Sequence, residues 1–183
     1  MTTQKQRFDE VVLPNLDSAL SLARWLTGNL PDAEDVVQEA CLRAFAAIHS
    51  ATGNNPRAWL LAIVRNTAYT WLARNRSRQL LITDDEQVFE RAGLEMTGRA
   101  DLSAPDAMLI AKADAELLHR AIAALPLSYR EILVLREFEE LSYREIAVIL
   151  KIPLGTVMSR LARARATLVQ RVVGGQSGQE GAA

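Results

Sequence analysis

Arginine residues are concentrated in two stretches of the sequence that contain no acidic residue. The first, Arg57–Arg78, interleaves five arginines with Trp59, Tyr69 and Trp71, and the second, Lys151–Arg171, holds one lysine and four arginines. Clustered basic side chains bind the phosphates of nucleic acids, and aromatic rings among them can stack on unpaired bases. Tryptophans at helical spacing are also common in hydrophobic cores, so Trp59 and Trp71 leave both roles open.

The second basic stretch lies within a pattern typical of a helix-turn-helix. Ser142 and Glu145 form a capping box that predicts a short helix, and residues 151–153 make a tight link to a helix predicted over 154–172. The last helix carries one apolar stripe: Val157, Leu161, Ala164 and Leu168. Its other faces carry hydroxyl and arginine side chains, which can hydrogen-bond to base edges or phosphates of a DNA duplex, although a solvated face would have the same composition.

A helix predicted from Asp32 to His49 carries acidic and amide side chains on one face, namely Asp35, Gln38 and Glu39. Such a face is either solvated or a docking surface for a basic partner, and the sequence pattern leaves both possibilities open. On its apolar stripe lies Cys41, which we interpret as a small core residue because no motif places a histidine beside it.

The remaining helix signals indicate an all-α fold of two small helical domains joined by a flexible acidic linker, with the helix-turn-helix in the C-terminal domain. Glycine and proline are sparse within the long segments of helical periodicity, and a further capping box, Ser128 with Glu131, predicts another helix start. We predict a first domain over residues 5–76, the linker over 77–104, the second domain over 105–173 and a disordered tail over 174–183.

The composition excludes several other classes of protein. Of 183 residues, 49% are hydrophobic, which indicates a globular chain, and the single cysteine excludes an intrachain disulfide. No segment is long and apolar enough to predict membrane insertion, so we expect a cytoplasmic protein. The net charge of −1 would argue against a nucleic-acid partner, but it averages acidic and basic segments. No glycine-rich phosphate loop or metal-ligand spacing predicts a cofactor or a catalytic site.

Three motifs, in this order and spacing, resemble those of the bacterial extracytoplasmic-function sigma factors of the sigma-70 family. The resemblance covers nearly all of both predicted domains. It rests on Leu26–Asn29 with Asp32–Ala40, on Trp59 and Leu60 with Ile63 and Asn66, and on Leu141–Ala147 continuing through Gly155–Leu161 to Arg163–Arg165.

The resemblance implies a non-enzymatic initiation factor that directs core RNA polymerase to promoter DNA. The family's polymerase-binding face, which docks on the clamp helices of the largest catalytic subunit, maps to Asp35, Gln38 and Glu39. Recognition and opening of the −10 element map to Asn54, Asn55, Arg65, Asn66 and Tyr69. Recognition of the −35 element maps to Thr156, Met158, Ser159, Arg160, Ala162, Arg163 and Arg165. An anti-sigma factor is the further partner that the resemblance implies.

Two other classes of function compete with this interpretation. A stand-alone helix-turn-helix regulator would explain the C-terminal domain, and it would bind its operator without polymerase, usually as a symmetric dimer. It leaves the acidic face of the 32–49 helix and the first basic stretch unexplained. An enzyme is a more distant alternative, because its site would have to be assembled from residues that no motif marks.

Overall fold

A computed structural model describes the backbone of residues 3–51, 55–82 and 105–176, and the side chains of residues 3–51, 55–75 and 114–173. Every regular element in these ranges is helical. The helices are α1 (Gln4–Val12), α2 (Leu16–Thr27), α3 (Leu30–Ala47), α4 (Pro56–Ile82), α5 (Pro105–Ala123), α6 (Leu127–Leu133), α7 (Tyr143–Leu150) and α8 (Leu154–Gln176). This confirms the expected all-α fold of two helical domains, α1–α4 and α5–α8.

The N-terminal domain is built on α2, α3 and α4, which pack against one another. Gly28, with a φ of 89°, ends α2 in the left-handed conformation that favours glycine. Asn29 then caps α3, its side chain accepting a hydrogen bond from the Asp32 amide at 2.9 Å. Asn55 caps α4 in the same way through the amide of Ala58, also at 2.9 Å, as Asn55 before Pro56 predicts.

The C-terminal domain contains the expected helix-turn-helix, α7 followed by α8. Ser142 and Glu145 form the predicted capping box, with the Ser142 amide donating to the Glu145 carboxylate at 2.7 Å. Lys151 ends α7 in the left-handed conformation, at a φ of 54°. The apolar stripe of α8 packs inward, with Val157, Leu161 and Ala164 buried and Leu168 packed against the core.

The capping box predicted from Ser128 and Glu131 is wrong. The helix α6 begins at Leu127, two residues before the Tyr129 start that a Ser128 cap predicts, because the Pro126 carbonyl accepts hydrogen bonds from the Tyr129 and Arg130 amides at 2.8 and 3.0 Å. The Glu131 side chain is engaged by the other domain. After α6, residues Val134–Phe138 form a π-helical turn that leads towards α7.

Several helix ends differ from the sequence prediction. The helix α4 continues to Ile82, six residues past its predicted end and into the range assigned to the linker, and α8 continues to Gln176, past the predicted start of the tail. Alanine, leucine and arginine favour continuation of both helices. Asn54, residues 83–104 and residues 177–183 lie outside the described residues, so the domain boundaries, the acidic linker and the tail stay predictions.

The two domains lie against each other. The helix α4 packs on α7, and α2 packs on α6 and on the π-helical turn. One hydrophobic cluster includes buried side chains of both domains, such as Leu22 and Val64 in the first and Leu125 and Ile146 in the second. This arrangement brings the first basic stretch against the C-terminal domain.

Within the described ranges, no helix is long and apolar enough to cross a membrane. The same part of the chain contains no grouping of three or more histidine, cysteine or acidic side chains that could hold a metal ion.

Candidate nucleic-acid interface

The exposed face of α8 lies opposite its buried stripe and carries the residues predicted to read duplex DNA. Met158, with 54% of its surface exposed, Ser159, Ala162 and Arg163 all face solvent, whereas Thr156 and Arg160 are half-buried. Arginine, hydroxyl and apolar side chains on one helix face provide the donors, acceptors and methyl contacts that base edges in a major groove require.

Among the predicted duplex-reading residues, Arg165 is held by a carboxylate. Its guanidinium donates to Glu137 at 3.1 Å from Nε and 2.5 Å from Nη2, and both side chains are about half exposed. The hydrogen bond to Glu137 raises the pKa of Arg165, so the guanidinium stays charged. An exposed ion pair of this kind is weak and can exchange its carboxylate for a phosphate.

The residues predicted to act on the −10 element form a second group, on the middle of α4. Arg65 donates to Glu131 from Nε at 2.9 Å, and the Tyr69 hydroxyl donates to the same carboxylate at 2.9 Å. The Arg65 guanidinium also lies 4.5 Å from the centre of the Tyr69 ring. Because Glu131 belongs to α6, these two α4 residues are engaged by the C-terminal domain.

The electrostatics of this cluster follow from burial and from the Glu131 charge. Burial raises the pKa of the Tyr69 hydroxyl, and the charge of Glu131 raises it further. Burial opposes the charge of Arg65, but the hydrogen bond and charge of Glu131 outweigh that effect and raise the pKa of its guanidinium. Arg65 is therefore charged and Tyr69 neutral at physiological pH.

Two more carboxylates of the C-terminal domain reach the start of α4. The Asn55 side-chain amide donates to Glu145, and Arg57 forms an ion pair with Glu139. Asn66 differs from its neighbours because it is exposed, and among the described residues its side-chain oxygen accepts one long contact, from Arg65 at 3.4 Å. The structure thus brings together Asn55, Arg65 and Tyr69 beneath the C-terminal domain and leaves Asn66 at the edge.

Sequence reasoning missed Trp25, which α2 inserts into the contact between the domains. Its side chain is 5% exposed, and its rings lie 4.6 Å from His119 and 5.2 Å from Phe138, measured between centroids. Arg130 donates to the Trp25 carbonyl at 3.1 Å. A tryptophan in an amphipathic helix is normally assigned to its own domain's core, so no sequence signal distinguishes this position.

The acidic face of α3 is open to solvent. Asp35 and Gln38 are exposed, whereas Glu39 is half-buried. The Glu39 carboxylate pairs with Arg43 on the same helix, and the guanidinium of Arg74 on α4 lies 4.0 Å from it. Leu42 lies one turn beyond Gln38 with 74% of its surface exposed. The signal that could have found Leu42 is its i+4 spacing from Gln38, which places a large apolar side chain on a polar face.

The aromatic residues of the first basic stretch and the cysteine are core-associated. Trp59 and Trp71 are half-buried and pack against the hydrophobic cluster, which favours the core role over base stacking. Cys41 packs there too, and burial raises the pKa of its thiol, as expected of an unreactive core residue.

Comparison with known proteins places both domains in one family. Residues 11–78 match the family model "Sigma-70 region 2", and residues 115–168 match "Sigma-70, region 4". The chain is 35% identical to the ECF RNA polymerase sigma-E factor of Escherichia coli K12 over 77% of this chain and 74% of that protein. It is 33% identical to the RNA polymerase sigma-H factor of Pseudomonas aeruginosa over 88% and 83% of the two chains.

A solved structure agrees with these sequence matches. The sigma factor RpoE from Bartonella quintana, crystallised in complex with the anti-sigma factor NepR, superposes with a TM-score of 0.66 and is 29% identical, covering 91% of this chain and 96% of that one. The two family models match the two domains in the family's order, and the identity to the sigma-E factor exceeds 30% over three quarters of the sequence. Together these matches identify the family. The chain belongs to the extracytoplasmic-function sigma factors of the sigma-70 family.

Proposed function

We propose that this chain binds core RNA polymerase and directs transcription initiation from promoters with −10 and −35 elements. The observation that carries the proposal is the outward face of α8, where Met158, Ser159 and Arg163 are exposed on a helix-turn-helix fixed by a capping box. In this role the chain performs no catalysis itself. We place the factor in the cytoplasm because its polymerase and promoter partners act there.

The proposed −35 site uses α8 as a recognition helix in the major groove. Arg163 is the side chain best suited to bridge O6 and N7 of a guanine, because it is exposed and the structure gives it no carboxylate partner among the described residues. Met158 and Ala162 offer apolar contact to thymine methyl groups. Arg160 and Arg165 lie at the sides of this face and suit the phosphate backbone.

The proposed −10 site lies on α4 of the N-terminal domain. Opening a promoter requires unpaired bases to be held outside the duplex, at a cost of a few kcal/mol for each. Asn66 carries both a donor and an acceptor and is exposed, so it can read the edge of a flipped base. Arg65 and Tyr69 supply a charge for the backbone and a ring for stacking. Asn54 and Asn55 complete the site before α4.

The proposed polymerase-binding surface is the exposed face of α3. Asp35 and Gln38 provide acidic and amide groups for a basic partner. Leu42, one turn further along the same helix, offers the partner an exposed apolar side chain. We assign the clamp helices of the largest catalytic subunit as its partner. An anti-sigma factor is a second partner by analogy with the Bartonella quintana complex.

Run-off transcription with purified core polymerase on a promoter library tests this proposal. Addition of the protein should create new start sites that core polymerase alone does not use. The alternative function predicts a different outcome: a stand-alone regulator would leave start sites unchanged and would shift a palindromic duplex in the absence of polymerase.

A matched pair of variants tests the docking surface. The double variant Asp35→Asn, Gln38→Ala should weaken binding to core polymerase on the order of tenfold, because both side chains lie on the exposed face of α3. The control is Glu10→Gln, an exposed acid on α1, which should bind like wild type. Equal affinity of all three proteins would remove α3 from the interface.

A further inference from the structure

Two side chains of the first helix, α1, hold the main chain just before the proposed −10 site. The Arg7 guanidinium donates from Nη2 to the Ala51 carbonyl at 3.0 Å. One turn earlier on α1, Gln4 donates from Nε2 to the Phe45 carbonyl at 2.9 Å. Both acceptors are backbone groups, and they lie on either side of the 3₁₀ turn Ile48–Ser50 that follows α3. The helix α1 therefore holds the path of the chain as it leaves α3.

Apolar contacts fix α1 in the position from which these hydrogen bonds are made. The rings of Phe8 and Phe45 meet edge to face, with their centroids 5.4 Å apart. Val12 of α1 and Ile48 of the 3₁₀ turn are both fully buried. Close-packed side chains leave a helix little freedom to shift, and edge-to-face aromatic pairs add a preferred orientation. Arg7 and Gln4 therefore donate from a fixed support.

Ala51 is the residue at which the chain leaves the helical conformation. Its amide still donates to the Ile48 carbonyl at 3.1 Å, but its ψ of 58° departs from helical values. The donor that the structure gives its carbonyl is the half-buried Arg7. Because a peptide unit is planar, a hydrogen bond that fixes this carbonyl also fixes the peptide plane through which the chain continues. A guanidinium donor makes that bond stronger than a neutral side-chain amide would.

The position that Arg7 holds lies close in sequence to the start of α4. Asn55, four positions after Ala51, caps α4 through the Ala58 amide at 2.9 Å, and its carbonyl accepts from the Trp59 amide at 3.2 Å. Two residues four positions apart can be separated by at most about 14 Å. A change in the direction of the chain at Ala51 therefore acts on Asn55, which belongs to the proposed −10 site, within one short step of sequence.

Selection of a base depends on small distances at such a site. A hydrogen bond to a base edge requires donor and acceptor to lie about 2.7–3.2 Å apart, and it weakens steeply when the donor is misaligned. Groups that read a ligand must therefore be held to within about 0.5 Å by residues that do not touch the ligand themselves. Arg7 meets this description, because its Nη2 donates to the main chain of the entering segment.

We propose that Arg7 is a positioning residue of the −10 site, whose hydrogen bond to the Ala51 carbonyl sets the approach of the chain to Asn55 and thereby the base that the site selects. Gln4 and Phe8 support it by holding α1 on the end of α3. The inference rests on the proposed function for the identity of the ligand, an unpaired base of the opened promoter. Arg7 acts through the main chain and makes no contact with DNA.

Base preference in promoter opening by the full-length chain with core polymerase tests this role. Open-complex formation is compared on promoters that differ by single bases within the −10 element. Arg7→Met, which keeps an extended side chain but removes the donor, should reduce the preference for the best base about tenfold. Arg7→Lys keeps a charged donor and should restore most of the preference. Lys5→Met, which removes an exposed cation from the same helix, is the control and should behave like wild type.

Several outcomes would overturn the positioning role. If Arg7 only stabilises the domain, Arg7→Met lowers the melting temperature and reduces opening by one factor on every −10 sequence, with no change in preference. Failure of Arg7→Lys to restore the preference would show that the hydrogen bond is not its source.

A milder variant keeps the test decisive if Arg7→Met folds poorly. Gln4→Ala removes the hydrogen bond to the Phe45 carbonyl and should reduce the base preference about twofold. An unchanged preference in both Gln4→Ala and Arg7→Met, with initiation by wild type, would overturn this inference alone. A wild type that directs no polymerase-dependent initiation would overturn the proposed function and this inference with it.

Discussion

The arginines of α4 and α8, the two helices that we propose bind DNA, differ in what they contact. On α4, Arg57 and Arg65 pair with glutamates that are almost completely buried, and those glutamates belong to the other domain. On α8, Arg163 is exposed, and Arg165 pairs with a half-exposed glutamate of its own domain. Both helices are basic and free of acids, so their sequences alone look equivalent. The difference shows that whether an arginine is available to bind DNA depends on where the acidic residues of the rest of the chain lie.

This difference is consistent with two kinds of DNA recognition. Duplex DNA is present before polymerase arrives, and a helix that reads it can remain exposed because weak surface ion pairs exchange easily. Single-stranded DNA exists only after the promoter opens, and a basic face with stacking rings would bind it without selectivity. Arginines that buried glutamates hold, as Glu139 and Glu131 hold Arg57 and Arg65, are less available for that non-selective binding.

The largest expected effect comes from removing the packing that supports the α8 face. Leu161→Ala should lower the free energy of unfolding of the C-terminal domain by about 2–5 kcal/mol, because Leu161 is buried in the core. Urea unfolding followed by circular dichroism measures this loss. Val169→Ala, at an exposed position of the same helix, is the control and should change stability by less than about 0.5 kcal/mol. Equal effects would show that α8 is not anchored by its apolar stripe.

The second effect concerns sequence recognition by the exposed face. Arg163→Ala should weaken binding of the polymerase complex to its −35 element by about 1–3 kcal/mol and relax specificity at one base pair. Competition binding with single-base variants of the promoter measures both quantities. An equal loss on every sequence would make Arg163 a phosphate contact. The exposed face of α8 would then lack the arginine that we propose reads a base.

The third effect concerns Asn66, the exposed residue of the proposed −10 site. Asn66→Ala should leave binding to core polymerase intact and reduce open-complex formation on the order of tenfold, which corresponds to one hydrogen bond to a flipped base. Permanganate footprinting of unpaired thymines reports the opening. Normal opening by the variant would exclude Asn66 from the −10 site and leave Arg65 and Tyr69 as its principal residues.

The fourth effect is smaller and concerns Arg165, the α8 arginine that pairs with a carboxylate among the described residues. Glu137→Gln should release Arg165 and strengthen duplex binding by up to about 1 kcal/mol, because the pair is exposed and therefore weak. The salt dependence of binding should become steeper as one more arginine contacts a phosphate. Weaker binding would show instead that Glu137 positions Arg165 for DNA.

The smallest effect is a dependence of stability on pH through His119. Burial, followed by the positive charges of Arg24 and Arg130, lowers the pKa of His119 in the folded protein. The unfolded chain therefore binds more protons as the pH falls below about 6.5, and the folded state loses stability there. Thermal melting between pH 7 and 5.5 should show this loss, and His119→Gln should reduce it. A steeper loss in the variant would contradict the sign.

Sequence reasoning predicted the fold where local signals decide it. Gly28 and the Ser142 capping box fixed helix ends, and the 3.6-residue periodicity of α8 predicted its buried face correctly. It failed where a distant partner decides. Glu131 has the spacing of a capping residue from Ser128, but its carboxylate binds Arg65 and Tyr69 of the other domain. The same limit applies to Trp25, since no local pattern states which domain a tryptophan contacts.

The contact of α4 with α7 also has a consequence for how far the chain can reach. The helix α4 carries the chain about 20 Å from Tyr69 to Ile82, and the 22 residues 83–104 can span at most about 75 Å more. Elements named −10 and −35 are separated by roughly 25 base pairs, or about 85 Å of duplex. The two lengths together, about 95 Å, exceed this separation, so the chain is long enough to read both elements. It cannot do so while α7 lies on α4, because that contact keeps the two domains together.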